Sequence, residues 1–166
     1  MESVIDRAAP ALGTSLLLVV DEPSQIGAAR RAAISLGHTH RLGEETVGRL
    51  AIIITEAATN IVRHATRGVI VLRVLSPSTK PVIEMLALDK GPGIPDITRA
   101  LGDGFSTLGT AGQGLGAIQR LSNVFYIYSP RTKVSGTVIF ARVGDSEARS
   151  NRERHAPSLD DRLGVV

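Results

Sequence analysis

Residues 50–62 read LAIIITEAATNIV, and the run continues RHA to residue 65. At 100° per residue, Leu50, Ile54, Ala57, Ala58 and Ile61 fall on one arc, and Glu56, Asn60 and Arg63 fall on the other. The pattern predicts a helix over residues 43–65 with one face committed to a core. Glu56 and Asn60 are four residues apart, so they stack as neighbours on its polar side.

On the N-terminal side, residues 16–20 read as a short buried strand. Pro23 then suits the first turn of a helix over residues 24–36, with Ile26, Ala29, Ala33 and Leu36 at helical spacing. On the C-terminal side, residues 69–75 and 82–88 are two β-rich runs around a turn, which predicts a hairpin. Residues 97–101 read as a short helix, residues 102–114 as a glycine-rich loop and residues 115–121 as another helix. Two further strands are expected over residues 124–128 and 137–143. The order predicts an α+β sandwich, with helices covering one face of a mixed or antiparallel sheet. Residues 1–14 are expected to form a flexible leader, residues 15–143 the one domain, and residues 144–166 a disordered polar tail.

Composition narrows the function. The 166 residues suffice for one substantial core, and with no Trp, two Tyr and three Phe that core is aliphatic. The same scarcity argues against an aromatic stacking surface for single-stranded nucleic acid. The 19 Lys and Arg against 16 Asp and Glu leave +3, scattered along the chain, so no nucleic-acid footprint is expected. The absence of cysteine removes disulfides, thiolate metal sites and cysteine catalysis, and fits a reducing compartment. The apolar runs are too short to span a bilayer, and the first 20 residues lack a signal-peptide pattern. His38, His40, His64 and His155 do not form zinc-ligand spacing.

Three features carry chemistry. An Asn60 amide oxygen is a hard ligand suited to Mg²⁺, and a Glu56 carboxylate one turn earlier can accept a proton from an attacking hydroxyl. Alone, the pair also reads as decoration of an exposed helix side. The second feature is the stretch Asp89, Lys90, Gly91, Pro92, Gly93, Ile94 after a strand. An ionised Asp can accept from a purine's exocyclic amine, and the two glycines allow close backbone approach, although an ordinary turn uses the same residues. The third is DGFSTLGTAGQGLG over residues 103–116, whose glycines Gly112, Gly114 and Gly116 run into a helix beginning near Leu115. Unpaired N–H groups at such an end bind phosphate, although glycine loops also serve as connections. No Walker A loop is present, and the Rossmann fingerprint is incomplete.

In this order, helical E-x-x-x-N, then D-x-G-x-G, then G-x-G-x-G resembles the N, G1 and G2 boxes of the GHKL ATPases, the Bergerat-fold superfamily. The stretches EAATNIVRHA, DKGPGIPDI and DGFSTLGTAGQGLGAIQRLSNVF look most like the anti-sigma serine/threonine kinases of the RsbT, RsbW and SpoIIAB group, nearest the RsbT branch. The resemblance covers residues 16–143. It implies an ATP-dependent protein serine/threonine kinase in a bacterial partner-switching pathway, located in the cytoplasm. It implies ATP and Mg²⁺, with Asn60 holding the metal, Glu56 as base, and Asp89 bonded to adenine in a pocket shaped by Gly91, Gly93 and Ile94. Thr107, Gly112, Gly114, Leu115 and Gly116 would form the lid over the phosphates. Thr137 would support Asp89 through its hydroxyl or a water, with Arg63 and His64 near the nucleotide.

The implied partners are a STAS-domain antagonist as substrate and a sigma factor, phosphatase or other regulatory output protein, and a homodimer is open. The alternative reading is a non-catalytic ATP- or ADP-binding module that sequesters or activates such a partner. A histidine kinase catalytic domain would need a phosphoacceptor helix on another chain. The sequence departs from the RsbT pattern at Ser122, Asn123 and Val124, and in the charged turn PRTKVSGT over residues 130–137.

Overall fold

The helix expected from residues 50–62 runs as Glu44–His64 and buries Leu50, Ile53, Ile54, Ala57, Ala58 and Ile61 almost completely. Its apolar arc is wider than the pattern alone suggests, because Thr46, Val47 and Ala51 are buried as well. The structure, a computed structural model, describes residues 14–65, 67–75, 80–102, 114–130 and 136–145. The elements follow in the order β1 (Ser15–Val20), α1 (Ser24–Thr39), α2 (Glu44–His64), β2 (Gly68–Leu75), β3 (Val82–Asp89), α3 (Ile97–Leu101), α4 (Gly114–Leu121), β4 (Val124–Tyr128) and β5 (Val138–Gly144).

The five strands form one sheet in the order β1-β2-β3-β5-β4, and every pairing is antiparallel. The sheet is therefore antiparallel throughout rather than mixed. Each consecutive pair of sheet neighbours can close by a hairpin or a return across the helical layer, so no parallel crossover is needed. Alternate strand residues point toward the helices. Val20, Ile70, Leu72, Val74, Ile83, Met85, Ala87, Ile139, Ala141 and Val143 join the buried residues of α1 and α2 in a single core. Each fully buried Leu or Ile contributes about 1.5–3 kcal/mol relative to exposure.

α1 extends three residues beyond the expected end at Leu36. Gly37 lies buried inside it, where an added Cβ would stand 3.0 Å from a Val47 methyl. The glycine lets α1 and α2 approach closely. The cap proper is a Schellman motif: Arg41 adopts φ 57°, its N–H donates to the His38 carbonyl, and the Leu42 N–H donates to the Gly37 carbonyl. Leu42 is then buried against the core.

Both ends of the domain lie slightly beyond the expected boundaries. Thr14, assigned to the leader, accepts the Val74 N–H through its carbonyl, so the β1 edge is pinned from residue 14. Gly144, assigned to the tail, is the last residue of β5, and Asp145 accepts the Gly43 N–H at the start of α2 with both carboxylate oxygens at 3.1 and 3.3 Å. Residues 1–13 and 146–166 lie outside the described residues. Arg49 ties the same corner together, donating to Thr46 Oγ1, the Gly144 carbonyl and the Leu121 carbonyl at 3.1, 2.9 and 3.3 Å. Asn123, one of the departures from the RsbT pattern, accepts the Gly144 N–H at 2.9 Å, so here it fastens the end of β5.

Asp145 supplies α2 with a tertiary N-terminal cap, since Gly43 at the N-cap position has no side chain to do so. Replacing Asp145→Ala is expected to lower stability by about 0.5–2 kcal/mol. A lower urea midpoint with unchanged m-value would show it.

Candidate functional site

The polar side of α2 faces the start of α4. An added Cβ on Gly114, the first residue of α4, would stand 2.9 Å from Glu56 Oε2 and 3.3 Å from Asn60 Oδ1. Glycine here permits a helix N-terminus to sit directly on the two polar side chains. The first turn of a helix carries N–H groups without intrahelical acceptors and the positive end of the dipole, so this helix end suits anionic oxygens. Asn60 Nδ2 is buried and, among the described residues, has no hydrogen-bond partner. An orphaned buried amide beside a half-buried carboxylate is a costly arrangement for a purely structural corner and fits a group delivered by a ligand.

Asp89 closes the other end of the site. It is the last residue of β3, and its Oδ1 accepts the Gly91 N–H at 2.7 Å and the Thr137 N–H at 3.1 Å. Its own N–H donates to the Thr137 carbonyl at 3.0 Å. Neither of these amides takes Oδ2. Thr137 thus holds Asp89 through its main chain, where the resemblance implied support through its hydroxyl or a water. The hydroxyl lies 3.4 Å from Ser129 Oγ instead. Thr137 also precedes β5 rather than belonging to it.

Three glycines let the backbone pack this tightly. An added Cβ on Gly91 would stand 2.6 Å from the His64 carbonyl oxygen, which places the loop after β3 against the C-terminal end of α2. Gly93 has φ 79° and Gly136 φ 138°, conformations that L side chains rarely adopt. An added Cβ on Gly136 would stand 2.6 Å from the Asp89 carbonyl oxygen.

Ser129 is the residue that sequence reasoning missed. It follows β4, and it is buried at 8% exposure. Its Oγ accepts the Ile94 N–H at 2.7 Å and lies 3.2 Å from the Gly136 carbonyl, to which it donates. It therefore joins the loop after β3 to the base of the connection between β4 and β5. In the sequence it looked like an ordinary turn residue before Pro130, and nothing local distinguishes it.

Of the residues assigned from sequence, Glu56, Asn60 and Gly114 meet at one end, while Asp89, Gly91, Gly93, Ile94 and Thr137 meet at the other. Gly116 is buried against the Leu101 carbonyl, and Leu115 packs on the core, so both act in seating α4. The side chains of Arg63 and His64 are exposed on the last turn of α2, and it is the His64 main chain that touches the site. Thr107 and Gly112 lie outside the described residues.

A family profile described as the histidine kinase-like ATPase domain matches residues 19–143. The chain belongs to the histidine kinase-like ATPase family. The serine/threonine-protein kinase RsbT of Bacillus subtilis (strain 168) is 36% identical over 104 residues, covering 63% of this chain and 78% of RsbT. The resemblance to the anti-sigma serine/threonine kinases, nearest RsbT, is borne out. Among solved structures, the mycobacterial sensor histidine kinase MprB matches with TM-score 0.49 at 14% identity, over 80% of this chain and 97% of that one. The catalytic domain of the histidine kinase ThkA matches with TM-score 0.43 at 14% identity, over 78% and 97%.

The Ser129 link gives a test of how this histidine kinase-like ATPase holds its loop. Ser129→Ala removes the acceptor of the Ile94 N–H and is expected to cost about 1–3 kcal/mol of stability. Faster hydrogen exchange at the Ile94 amide, relative to amides in β2, is the measurement that locates the loss.

Proposed function

We propose that the protein is a cytoplasmic ATP-dependent protein serine/threonine kinase of a bacterial partner-switching pathway, and that it phosphorylates a STAS-domain antagonist. The observation that carries the reading is the meeting of Glu56 and Asn60 with the N-terminus of α4 at Gly114. The 36% identity to a protein named serine/threonine-protein kinase supports the same activity. A sigma factor, a phosphatase or another output protein would be the alternative partner.

The adenine end is assigned to Asp89. Two amides fix its Oδ1, which orients the carboxylate before any ligand arrives and leaves Oδ2 to accept from an exocyclic amine. The phosphates would lie toward α4, whose first-turn N–H groups face anions. Asn60 would hold Mg²⁺ through its amide oxygen, and a half-turn of that amide exchanges Oδ1 and Nδ2 without other movement. Among the described residues no cluster of three His, Cys, Asp or Glu could hold a metal, so most of the ion's shell would come from phosphate oxygens and water. When bound, the ion neutralises charge on the phosphates.

Glu56 is assigned the role of base. As the serine hydroxyl oxygen bonds to the γ-phosphorus, its proton passes to the Glu56 carboxylate. The bond from that phosphorus to the β–γ bridging oxygen breaks, and ADP leaves. The product serine carries about −1.5 to −2 charges, which disfavours the surface that had docked a neutral hydroxyl and releases the antagonist.

Calorimetric titration of ATP with Mg²⁺, followed by a phosphotransfer assay on STAS proteins of the same genome, tests each part. Asp89→Asn is expected to weaken ATP binding by about tenfold or more, the worth of one hydrogen bond to a charged acceptor. Asn60→Ala should weaken it only when Mg²⁺ is present. Glu56→Gln should retain ATP and slow phosphotransfer by about 10²–10⁴-fold. Regulation that persists unchanged in Glu56→Gln would instead identify a nucleotide-binding switch without catalysis.

A further inference from the structure

A carboxylate recognises a purine only when its free oxygen is aimed. The torsion that turns an Asp carboxyl is broad and roughly two-fold, so the direction of Asp89 Oδ2 is set by what holds Oδ1. Two amides hold it, and they come from different parts of the chain. The Gly91 N–H lies two residues on, in the arm after β3, whereas the Thr137 N–H lies 48 residues on, at the entry to β5.

Neither arm keeps its shape by itself. The first turns at Gly93 with φ 79°, and the second turns at Gly136 with φ 138°. A glycine has open conformational space on both sides of these values, so each arm needs a tertiary tie. Both ties end on one atom. Ser129 Oγ accepts the Ile94 N–H at 2.7 Å and donates to the Gly136 carbonyl at 3.2 Å. The register of the sheet explains the reach of that hydroxyl. Tyr128 pairs with Val138, so Ser129 stands opposite Thr137 one rung further on. Alternation along β4 then puts its side chain on the same face as Phe125 and Ile127, which pack on the core. There it is 8% exposed, and an added Cβ on Gly93 would stand 2.9 Å from its oxygen. A hydroxyl suits the place because it accepts and donates at once.

We infer that Ser129 is a positioning residue that determines purine specificity: by closing both arms it aims Asp89 Oδ2, and so selects a purine with a 6-amino group over one with a 6-oxo group. The inference rests on the assignment of Asp89 to adenine. The amine donates to an aimed Oδ2, whereas a 6-oxo oxygen sets its lone pairs against the same charge. Loosening the arms removes the attraction and relieves the repulsion together. Loss of Ser129 therefore acts on the preference between the two bases, which a general loosening of the pocket would leave alone.

Displacement titration with ATP and with inosine triphosphate, below the melting midpoint of every variant, tests it. Wild type is expected to prefer ATP. Ser129→Ala should weaken ATP by about tenfold, the worth of one hydrogen bond to a charged acceptor, and leave inosine triphosphate within about twofold. Ser129→Cys keeps the shape and weakens both bonds, so it should fall between the two and serves if the alanine variant does not fold. Asp89→Asn should erase the preference, and Ser129→Ala added to it should change the preference no further, because one acts through the other. At saturating ATP the phosphotransfer rate of Ser129→Ala should stay within about twofold, with the loss confined to KM, since α2 holds Glu56 and Asn60 independently. Equal weakening of both nucleotides, or full ATP preference kept in both Ser129 variants while Asp89→Asn loses it, overturns the inference and leaves the adenine assignment standing. A wild type without the preference, or a preference that survives Asp89→Asn, overturns the assignment and the inference with it.

Discussion

Everything near the site depends on how α2 is buried. Leu50, Ile53, Ile54, Ala57, Ala58 and Ile61 must face the sheet and the flanking helices, and a rigid helix then has no freedom over where its remaining residues point. Glu56 and Asn60 are turned toward α4 as a consequence of that burial. The polar pair is held by some six buried aliphatic side chains rather than by its own contacts, so a carboxylate and an unsatisfied amide can be kept close to a helix N-terminus. Folding free energy from the core supports an arrangement that is locally unfavourable.

The opposite end of the site is built on different principles. Asp89 is located by main-chain hydrogen bonds to Gly91 and Thr137, and the loop it begins is held by the Ser129 hydroxyl. Glycines at 91, 93 and 136 serve this end by removing Cβ atoms that would collide with the His64, Ser129 and Asp89 atoms around them. One end is thus rigid through packing, and the other is rigid through satisfied backbone groups.

The two faces of the sheet are also unlike in composition. One is buried under the helices and carries the site. The other presents two uncharged rows, from Leu17 to Tyr126 and from Val19 to Tyr128, that pairing in register makes continuous across the molecule. At their border Arg142, which pairs with Glu84, lies 5.9 Å over the Phe140 ring.

The sequence by itself determined the elements and the family. The 3.6-residue stripe in residues 50–62, the alternating runs and the three glycine-marked boxes are local signals, legible because periodicity and turn chemistry act over a few residues. It also placed Glu56 and Asn60 together on the polar side of α2, and Asp89 at the end of β3. What it left open required distant contacts. That the sheet is wholly antiparallel, that Gly37 sits inside α1 under Val47, and that Asp145 caps α2 across 102 residues follow from which surfaces meet. Ser129 became a site residue for the same reason: its hydroxyl is ordinary in a turn, and only the tertiary structure brings Ile94, Gly136 and Thr137 to it. Local pattern fixes which way a side chain points from its own element, whereas its partners are fixed by the packing of elements far apart in the chain.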